Sequence, residues 1–369
     1  MLTIKKYTIS ELIEFVSSEE YDKLENIPIS KHRALSYSKN PRINSNDNVM
    51  YLAYDNDELV GYRTILPDYF YQDNTKNKIG WLSGSWVKPD RRRTGISTKL
   101  FKTVYKEWIG NLAYTNYAPV AKALFDKTSK FIKFKSIEGI RAYNRFCFAD
   151  LLPPKSKFFF KIKSVLRFFD FILNLFCDIR IIILNNFLSI KNINFEYVTF
   201  IDDEINEFIK NKSEKEICRR SQNELNWIIK YPWIIEHAKK DDDNKRYHFS
   251  STSKLFNNYN IKIYDNNKKL TAYLMLTVRD NRMSVPYCYY DNNINDIIKI
   301  IYKLMLKKHL SILTVYNNDI VEYLRNHSTP FLFKKKLFRN YFITKGLNSK
   351  FPENQLINFQ DGDGDCAFT

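Results

Sequence analysis

One stretch, Trp81–Leu100 (WLSGSWVKPDRRRTGISTKL), narrows the folds open to this chain more than any other. Trp81, Leu82, Trp86 and Val87 are bulky side chains that suit a pleated, half-buried surface, so the stretch opens as a strand. Pro89-Asp90 stops it, because proline has no N–H for a ladder. Three arginines follow, then Gly95, and Ser97 onward reads as a helix to about Trp108. Strand, basic glycine loop and helix N-terminus together favour an anion. The first helical turn leaves N–H groups unpaired at the positive end of the helix dipole, glycine lets a ligand approach the backbone, and arginines add charge. The bland alternative is a basic turn ahead of an ordinary amphipathic helix, and only the surrounding layout separates the two.

Arg92-Arg93-Thr94-Gly95-Ile96-Ser97 resembles the Arg/Gln-x-x-Gly-x-Gly/Ala pyrophosphate loop of the GNAT acyltransferases, with Ser97 in place of the last small residue. The layout around it is similar. Helices are expected from Ser10 to Val16 and from Ser30 to Ser38, and strands over Val49–Tyr54 and Leu59–Tyr71. After the loop and its helix come a strand from Leu112 to Tyr117 and a helix from Pro119 with Val120, Ala121, Leu124 and Phe125 on one face. Strands over Phe131–Ile137 and Arg141–Phe148 close the unit, so the resemblance covers roughly residues 1–150. It implies an α/β fold whose mixed, mostly antiparallel sheet is splayed between its fourth and fifth strands, with an acyl-CoA, acetyl-CoA by default, in the gap. By the same resemblance the backbone of Trp86 and Val87 pairs with pantetheine, and the N–H groups of Arg92, Arg93, Thr94, Gly95, Ile96 and Ser97 hold the pyrophosphate.

The chain departs from the family in its acid and base. Many members carry a glutamate on the fourth strand that removes the acceptor's proton, often through water; Gly80–Val87 contains no carboxylate. Many carry Asn-x-x-Ala-x-x-Leu-Tyr, whose tyrosine protonates the departing thiolate; aligned on Leu124, this chain has Ala118 and Phe125 at those places. The candidates lie elsewhere. His32 falls between the first two helices, where the family contacts its acceptor, and an imidazole can take a proton from an ammonium near neutral pH. Arg33 beside it and Asp90 at the strand end are the acceptor contacts, and Tyr114 and Tyr117 on the fifth strand are the candidate acids. Each has an ordinary reading too: a histidine packed on its helix, two of 25 tyrosines filling a core, a turn aspartate capping local N–H groups.

A length of 369 residues suits two domains, and 44% hydrophobic with 16% aromatic residues argues for a folded chain. Past residue 150, Pro153-Pro154 marks a boundary, and residues 151–195 read as a basic, aromatic, amphipathic linker. Its charges interrupt every window long enough to span a bilayer. Packing of its apolar face between domains is the preferred reading; lying on anionic membrane is the other. Residues 196–350 repeat the theme: a hairpin over Ile261–Tyr264 and Leu270–Arg279, a strand, a helix, a strand, a helix, then strands over 332–336 and 339–344. They read as a second, degenerate GNAT-like domain, because YYDNNINDIIK after its fourth strand has no arginine pair and no glycine. Tandem layouts of this kind resemble the Fem-like ligases and the myristoyl transferases.

The formal charge of +17 calls for an anionic partner, but the basic residues are dispersed and no aromatic-interleaved RNA motif stands out, so nucleic acid ranks low. Five scattered cysteines suit reduced thiols in a cytoplasmic protein, with no secretory signal at the start. His248 in RYHFSS is read as structural or as an acceptor contact. Asp361, Asp363 and Asp365 are spaced like the opening of a calcium loop but lack its glutamate, so residues 351–369 are read as an acidic tail on the basic body and no metal is expected. The function that follows is direct acyl transfer from acyl-CoA to a primary amine, of an amino sugar or a lipid-linked cell-envelope precursor. The alternatives are a non-catalytic CoA-binding module and a Fem-like transferase using aminoacyl-tRNA.

Overall fold

The computed structural model describes residues 1–73, 75–115, 119–236, 245–352 and 357–368, without the side chains of 119–122. In chain order the elements begin β1 (Leu2–Tyr7), α1 (Ile9–Val16), α2 (Glu19–Lys23), α3 (Lys31–Ser38), β2 (Met50–Asp55), β3 (Glu58–Gln72) and β4 (Thr75–Val87). Then come α4 (Ile96–Glu107), β5 (Leu112–Thr115), α5 (Pro119–Thr128), β6 (Phe131–Tyr143), α6 (Phe148–Leu151), α7 (Lys157–Lys161) and α8 (Lys163–Phe187). Next are β7 (Asn194–Val198), α9 (Asp203–Lys212), α10 (Gln222–Lys230), β8 (Ile235–Glu236), β9 (Thr252–Ser253), β10 (Phe256–Tyr264), β11 (Leu270–Arg279) and β12 (Arg282–Tyr290). The chain ends with α11 (Ile294–Lys307), β13 (Ile312–Val315), α12 (Asn318–Asn326), β14 (Phe333–Thr344) and α13 (Lys345–Asn348).

Two compact units interleave along the chain, where the sequence suggested domains at 1–150 and 196–350 in succession. The first comprises Met1–Ile137, Phe200–Phe256 and Arg339–Thr369; the second comprises Glu138–Thr199 and Asn257–Phe338. In the first unit β1, β2, β3 and β4 pair antiparallel in sequence order. β5 joins β4 in parallel and β14 joins β5 antiparallel, through Tyr341↔Thr115 and Phe342↔Tyr114. In the second unit β7 pairs β10 antiparallel, β11 lies beside β10, and β11 pairs β12 antiparallel. β13 then runs parallel to β12, and the end of β6 pairs antiparallel with β13 through Ile140↔Val315 to Tyr143↔Ile312. Both units are therefore mixed, mostly antiparallel α/β folds of one topology, and the last strand of each comes from the other half of the sequence.

Local chemistry explains most boundaries. Thr8, not Ser10, caps α1, through a capping box in which Glu11 reaches back to the Thr8 N–H at 2.7 Å. Ser30 caps α3, accepting from the Arg33 N–H. On α4 the buried face is Ile96, Leu100, Phe101 and Val104, which pack with Tyr51, Ile65, Trp108 and Phe125 in one core. Each such side chain contributes roughly 1.5–3 kcal/mol by burial. The two strands expected on either side of Glu138-Gly139 are one strand, β6. Gly139 is no turn here: a Cβ on it would lie 2.5 Å from the Tyr316 ring, so the residue allows close approach within a continuous strand. β14 is likewise one strand where two were expected.

Candidate active site

β4 is hydrogen-bonded to β3 over its whole length, from Gln72↔Thr75 to Gly61↔Val87. To β5 it is paired only by Gly80↔Leu112 and Trp81↔Ala113, while the other edge of β5 pairs with β14. Among the described residues, then, one edge of Leu82–Val87 faces an opening wedge. Gly80 holds the strands together at its root, since a Cβ there would meet Ile65 Cγ2 at 2.5 Å and the Trp108 ring at 2.9 Å. Trp86 is buried and stacks on Tyr62 at 5.6 Å.

The basic loop follows at once. Pro89–Arg91 makes a single 3-10 turn; Arg93 (φ 67°) and Gly95 (φ 89°) then take left-handed backbone, and α4 starts at Ile96. Gly95 stands at the N-cap with no side-chain cap, so the first-turn N–H groups of α4 remain open to a ligand. Arg92 Nε donates to the Val87 carbonyl at 3.2 Å, and Thr94 Oγ1 to the Arg91 carbonyl at 2.7 Å. Arg91 is drawn to Asp55 and Glu58 at 3.4 and 3.6 Å, while Arg92, Arg93, Thr94 and Gly95 are exposed. Ser97 is half-buried and does not cap the helix. Asp90 is exposed on the turn.

The face of β4 that carries Ser83 is built from residues far apart in sequence. Arg33, 4% exposed, donates to Ser83 Oγ at 2.7 Å, Tyr247 Oη at 2.8 Å and Tyr37 Oη at 3.1 Å, and its guanidinium lies 3.8 Å from the Trp233 ring. It acts as a support behind Ser83 more than as an open charge. His32 Nε2 lies 2.7 Å from the Trp233 carbonyl, which commits that nitrogen to a proton. Ser83 Oγ in turn donates to Asp365 Oδ2 at 3.0 Å, and Cys366 Sγ lies 3.5 Å from Thr115 Oγ1 on β5. The C-terminal segment thus bridges the wedge from β4 to β5. Burial raises the Asp365 pKa, and the Arg33 charge only partly offsets it.

The acidic tail is accordingly no surface appendage. Phe368 stacks on Trp233 at 4.5 Å, Phe359 on Tyr341 at 3.8 Å, and Gly364, at φ 75°, passes the face of Trp81 where a Cβ would sit at 3.2 Å. Asp363 is buried, accepts from the Gln360 N–H at 2.8 Å, and has its pKa pushed up by burial to about 6. Beside it, Asp68 bridges Arg42 at 2.6 Å and Arg220 at 2.9 Å, all three buried. Burial alone would raise Asp68; the Arg220 and Arg42 guanidiniums outweigh it and hold the carboxyl below its usual range. Among the described residues no His, Cys, Asp and Glu side chains group so as to hold a metal ion.

Of the expected acids, Tyr114 lies on the other face, in an aromatic cluster with Phe342 at 4.8 Å and Phe125 at 4.5 Å. Tyr117 lies outside the described residues. His248 packs against Phe249, and burial followed by the Arg92 charge lowers its pKa. Sequence reasoning missed Ser83, Asp365 and Arg63, the last a buried residue on β3 whose guanidinium lies 5.7 Å from Phe125 and whose pKa burial pushes down to about 10. Nothing local marks Ser83 or Arg63; for Asp365 the run of alternating aspartates at the chain end is the visible signal.

The acetyltransferase (GNAT) family model matches residues 13–125. Among solved structures, the chain is similar to a GCN5-related N-acetyltransferase from Anabaena variabilis, with 11% identity and a TM-score of 0.50 over 95% of this chain and 74% of that one. It is also similar to a GCN5-related N-acetyltransferase from Kribbella flavida, with 9% identity and a TM-score of 0.51 over 93% and 70%. N-Myristoyltransferase of Saccharomyces cerevisiae, with bound myristoyl-CoA, gives 10% identity and a TM-score of 0.52 over 93% and 78%. At these identities the likeness concerns the fold. No curated protein matches the chain by sequence. The strand pair that parts at Trp81, the loop at the start of α4 and the family match agree: residues 13–125 of this chain match an acetyltransferase domain of the GNAT family.

Proposed function

We propose that the chain transfers an acyl group, acetyl by default, from acyl-CoA directly to a primary amine of a small molecule or glycan precursor. An amino sugar or a lipid-linked cell-envelope intermediate is the acceptor class in view. The observation that carries the reading is the release of β4 from β5 immediately before an uncapped, arginine-rich helix start. In this reading the N–H groups of Arg92–Ser97 hold the diphosphate, and the free edge of Trp86 and Val87 pairs with the pantetheine arm.

The base absent from β4 is supplied from the tail. Asp365 stands 3.0 Å from Ser83 on that strand, and burial raises its pKa, which makes its carboxylate a stronger proton acceptor than an exposed one. An acceptor ammonium loses one proton to solvent and a second, as its nitrogen lone pair attacks the thioester carbon, to the Asp365 carboxylate. The C–N bond forms, the C–S bond breaks, and the thiolate leaves with the electron pair and is reprotonated. Tyr117 is the proposed proton donor in place of Tyr114, which packs on the other face; His32 is the alternative base, Asp90 the residue that orients the acceptor side, and Arg33 the group that holds Ser83 in place from behind. The placement proposed is cytoplasmic, and peripheral on the inner face of a membrane, which the exposed apolar flank of α8 supports.

The experiment is thiol release from acetyl- and longer acyl-CoAs against a panel of primary amines, run with wild type, Arg92→Glu and Asp365→Asn. Release with at least one amine that Arg92→Glu abolishes is the expected result. A second reading, a CoA-binding module without catalysis, is favoured by Phe125 at the usual tyrosine place; it predicts that CoA binds while no amine releases thiol.

A further inference from the structure

We propose that the outward face of α8 is a docking surface for an anionic lipid bilayer. A helix on a protein surface ordinarily turns its apolar side inward and its polar side to water. α8 departs from this: Leu166, Cys177 and Ile181 are buried, but a second and larger apolar face points to solvent. Its polar groups between Phe168 and Ile183 all bond to its own unit. Asp170 accepts from the Phe148 and Ala149 N–H groups, each at 2.8 Å, and Asn174 exchanges two 2.9 Å bonds with the Phe146 backbone. Asp178 accepts from Arg145 at 2.9 Å, and Arg180 donates to Asn144 at 2.8 Å. What remains outside is apolar: Phe168 and Phe171 are each 62% exposed, Phe176 70% and Ile179 60%, with Leu175 and Ile182 beside them.

So continuous a patch, with no polar residue turned outward along it, marks an interaction face. Its occupant follows from charge. Lys155, Lys157, Lys161, Lys163 and Arg167 flank the N-terminal end, and residues 151–169 contain no Asp or Glu. Exposed Phe158 and Phe160 alternate with those lysines, placing rings and ammonium groups at one level, as a headgroup boundary requires. A second copy of the chain would offer the same positive flank, whereas phosphodiester headgroups offer its complement, each basic residue adding about 1 kcal/mol near such a surface. No helix among the described residues is long and apolar enough to cross a membrane, so α8 would lie in the interface plane. This goes beyond the peripheral placement proposed above by naming the lipid charge and the residues, and it stands apart from the transferase reading.

The test is co-sedimentation of the full chain with large vesicles of phosphatidylcholine alone and of phosphatidylcholine mixed with phosphatidylglycerol. Expected are strong binding to the mixed vesicles, weakening as salt is added, and weak binding to the neutral ones. Phe171→Ser with Phe176→Ser should lower the partition coefficient by roughly a hundredfold, since each exposed ring gains on the order of tenfold from burial. Both positions face solvent, so the thermal midpoint should not fall. Equal binding to both vesicles would overturn the anionic assignment alone. No binding to either would overturn the docking surface and the peripheral placement together, as would a dimer in vesicle-free sedimentation that the double substitution dissolves. Thiol release, measured separately on the same protein, is unaffected by any of these results.

Discussion

Single buried carboxylates set much of this protein's behaviour. Asp68 between Arg42 and Arg220 is held below its usual pKa, so its stabilisation is present above about pH 4 and lost as pH falls through the folded value. Asp68→Asn leaves two buried guanidiniums short of their partner and should cost roughly 3–5 kcal/mol in denaturant unfolding at neutral pH. Asp363 has the opposite sign. Its folded pKa is raised to about 6, so its contribution is present below its ordinary value near 4 and declines as pH rises to about 6. Asp363→Asn should therefore flatten that part of the wild-type stability–pH curve, as read by urea midpoints at pH 5 and pH 7. Asp365→Asn should leave CoA affinity within twofold and lower kcat/KM by roughly 10²–10⁴, removing the group titrating on the acid limb of the pH–rate profile. An unchanged limb would return the role of base to His32.

Two glycines separate stability from binding at the level of the elements. Gly95 has nothing within 4 Å of where its Cβ would be but sits at φ 89°, so Gly95→Val should strain the loop by about 1–2 kcal/mol and abolish CoA binding, while Gly95→Asn keeps both. Gly80→Ala instead collides with Ile65 and Trp108 at the root of the wedge and should lower the thermal midpoint by several degrees. The local signals that were legible in the sequence are those with a short-range cause. The DNDEL turn between β2 and β3, the Pro89 stop and the apolar period of α4 sit where hydrophobic pattern and turn chemistry put them. β1 was not legible, because LTIKKY has two lysines and is held by pairing to β2. The continuity of β6 was not legible, because its reason at Gly139, close contact with Tyr316, lies far along the chain. α8 was legible as an amphipathic helix, but not its partners within the second unit: Asp170 and Asn174 bond to the backbone of residues 146–149, which a local pattern does not show.

Across the whole molecule, strand exchange is what a linear reading could not find. Residues 341–343 complete the first unit against β5, and residues 140–143 complete the second against β13. A fragment of residues 1–150 therefore lacks β14, the Arg220 partner of Asp68 and the whole tail, and circular dichroism of that piece should show no cooperative unfolding. The tail's aspartates escaped for the same reason: their partners Ser83, Arg33 and Arg220 are 130 or more residues away along the chain, and pattern reasoning sees only neighbours. The transferase reading requires the start of α4 and the parted strands to grip an acyl-CoA. Titrating acetyl-CoA into the full chain by calorimetry, with Arg92→Glu alongside, tests it most directly. Saturable heat is expected for wild type, with a dissociation constant in the micromolar to millimolar range that the substitution weakens at least tenfold. No heat from either protein at millimolar ligand, or equal heat from both, would contradict it.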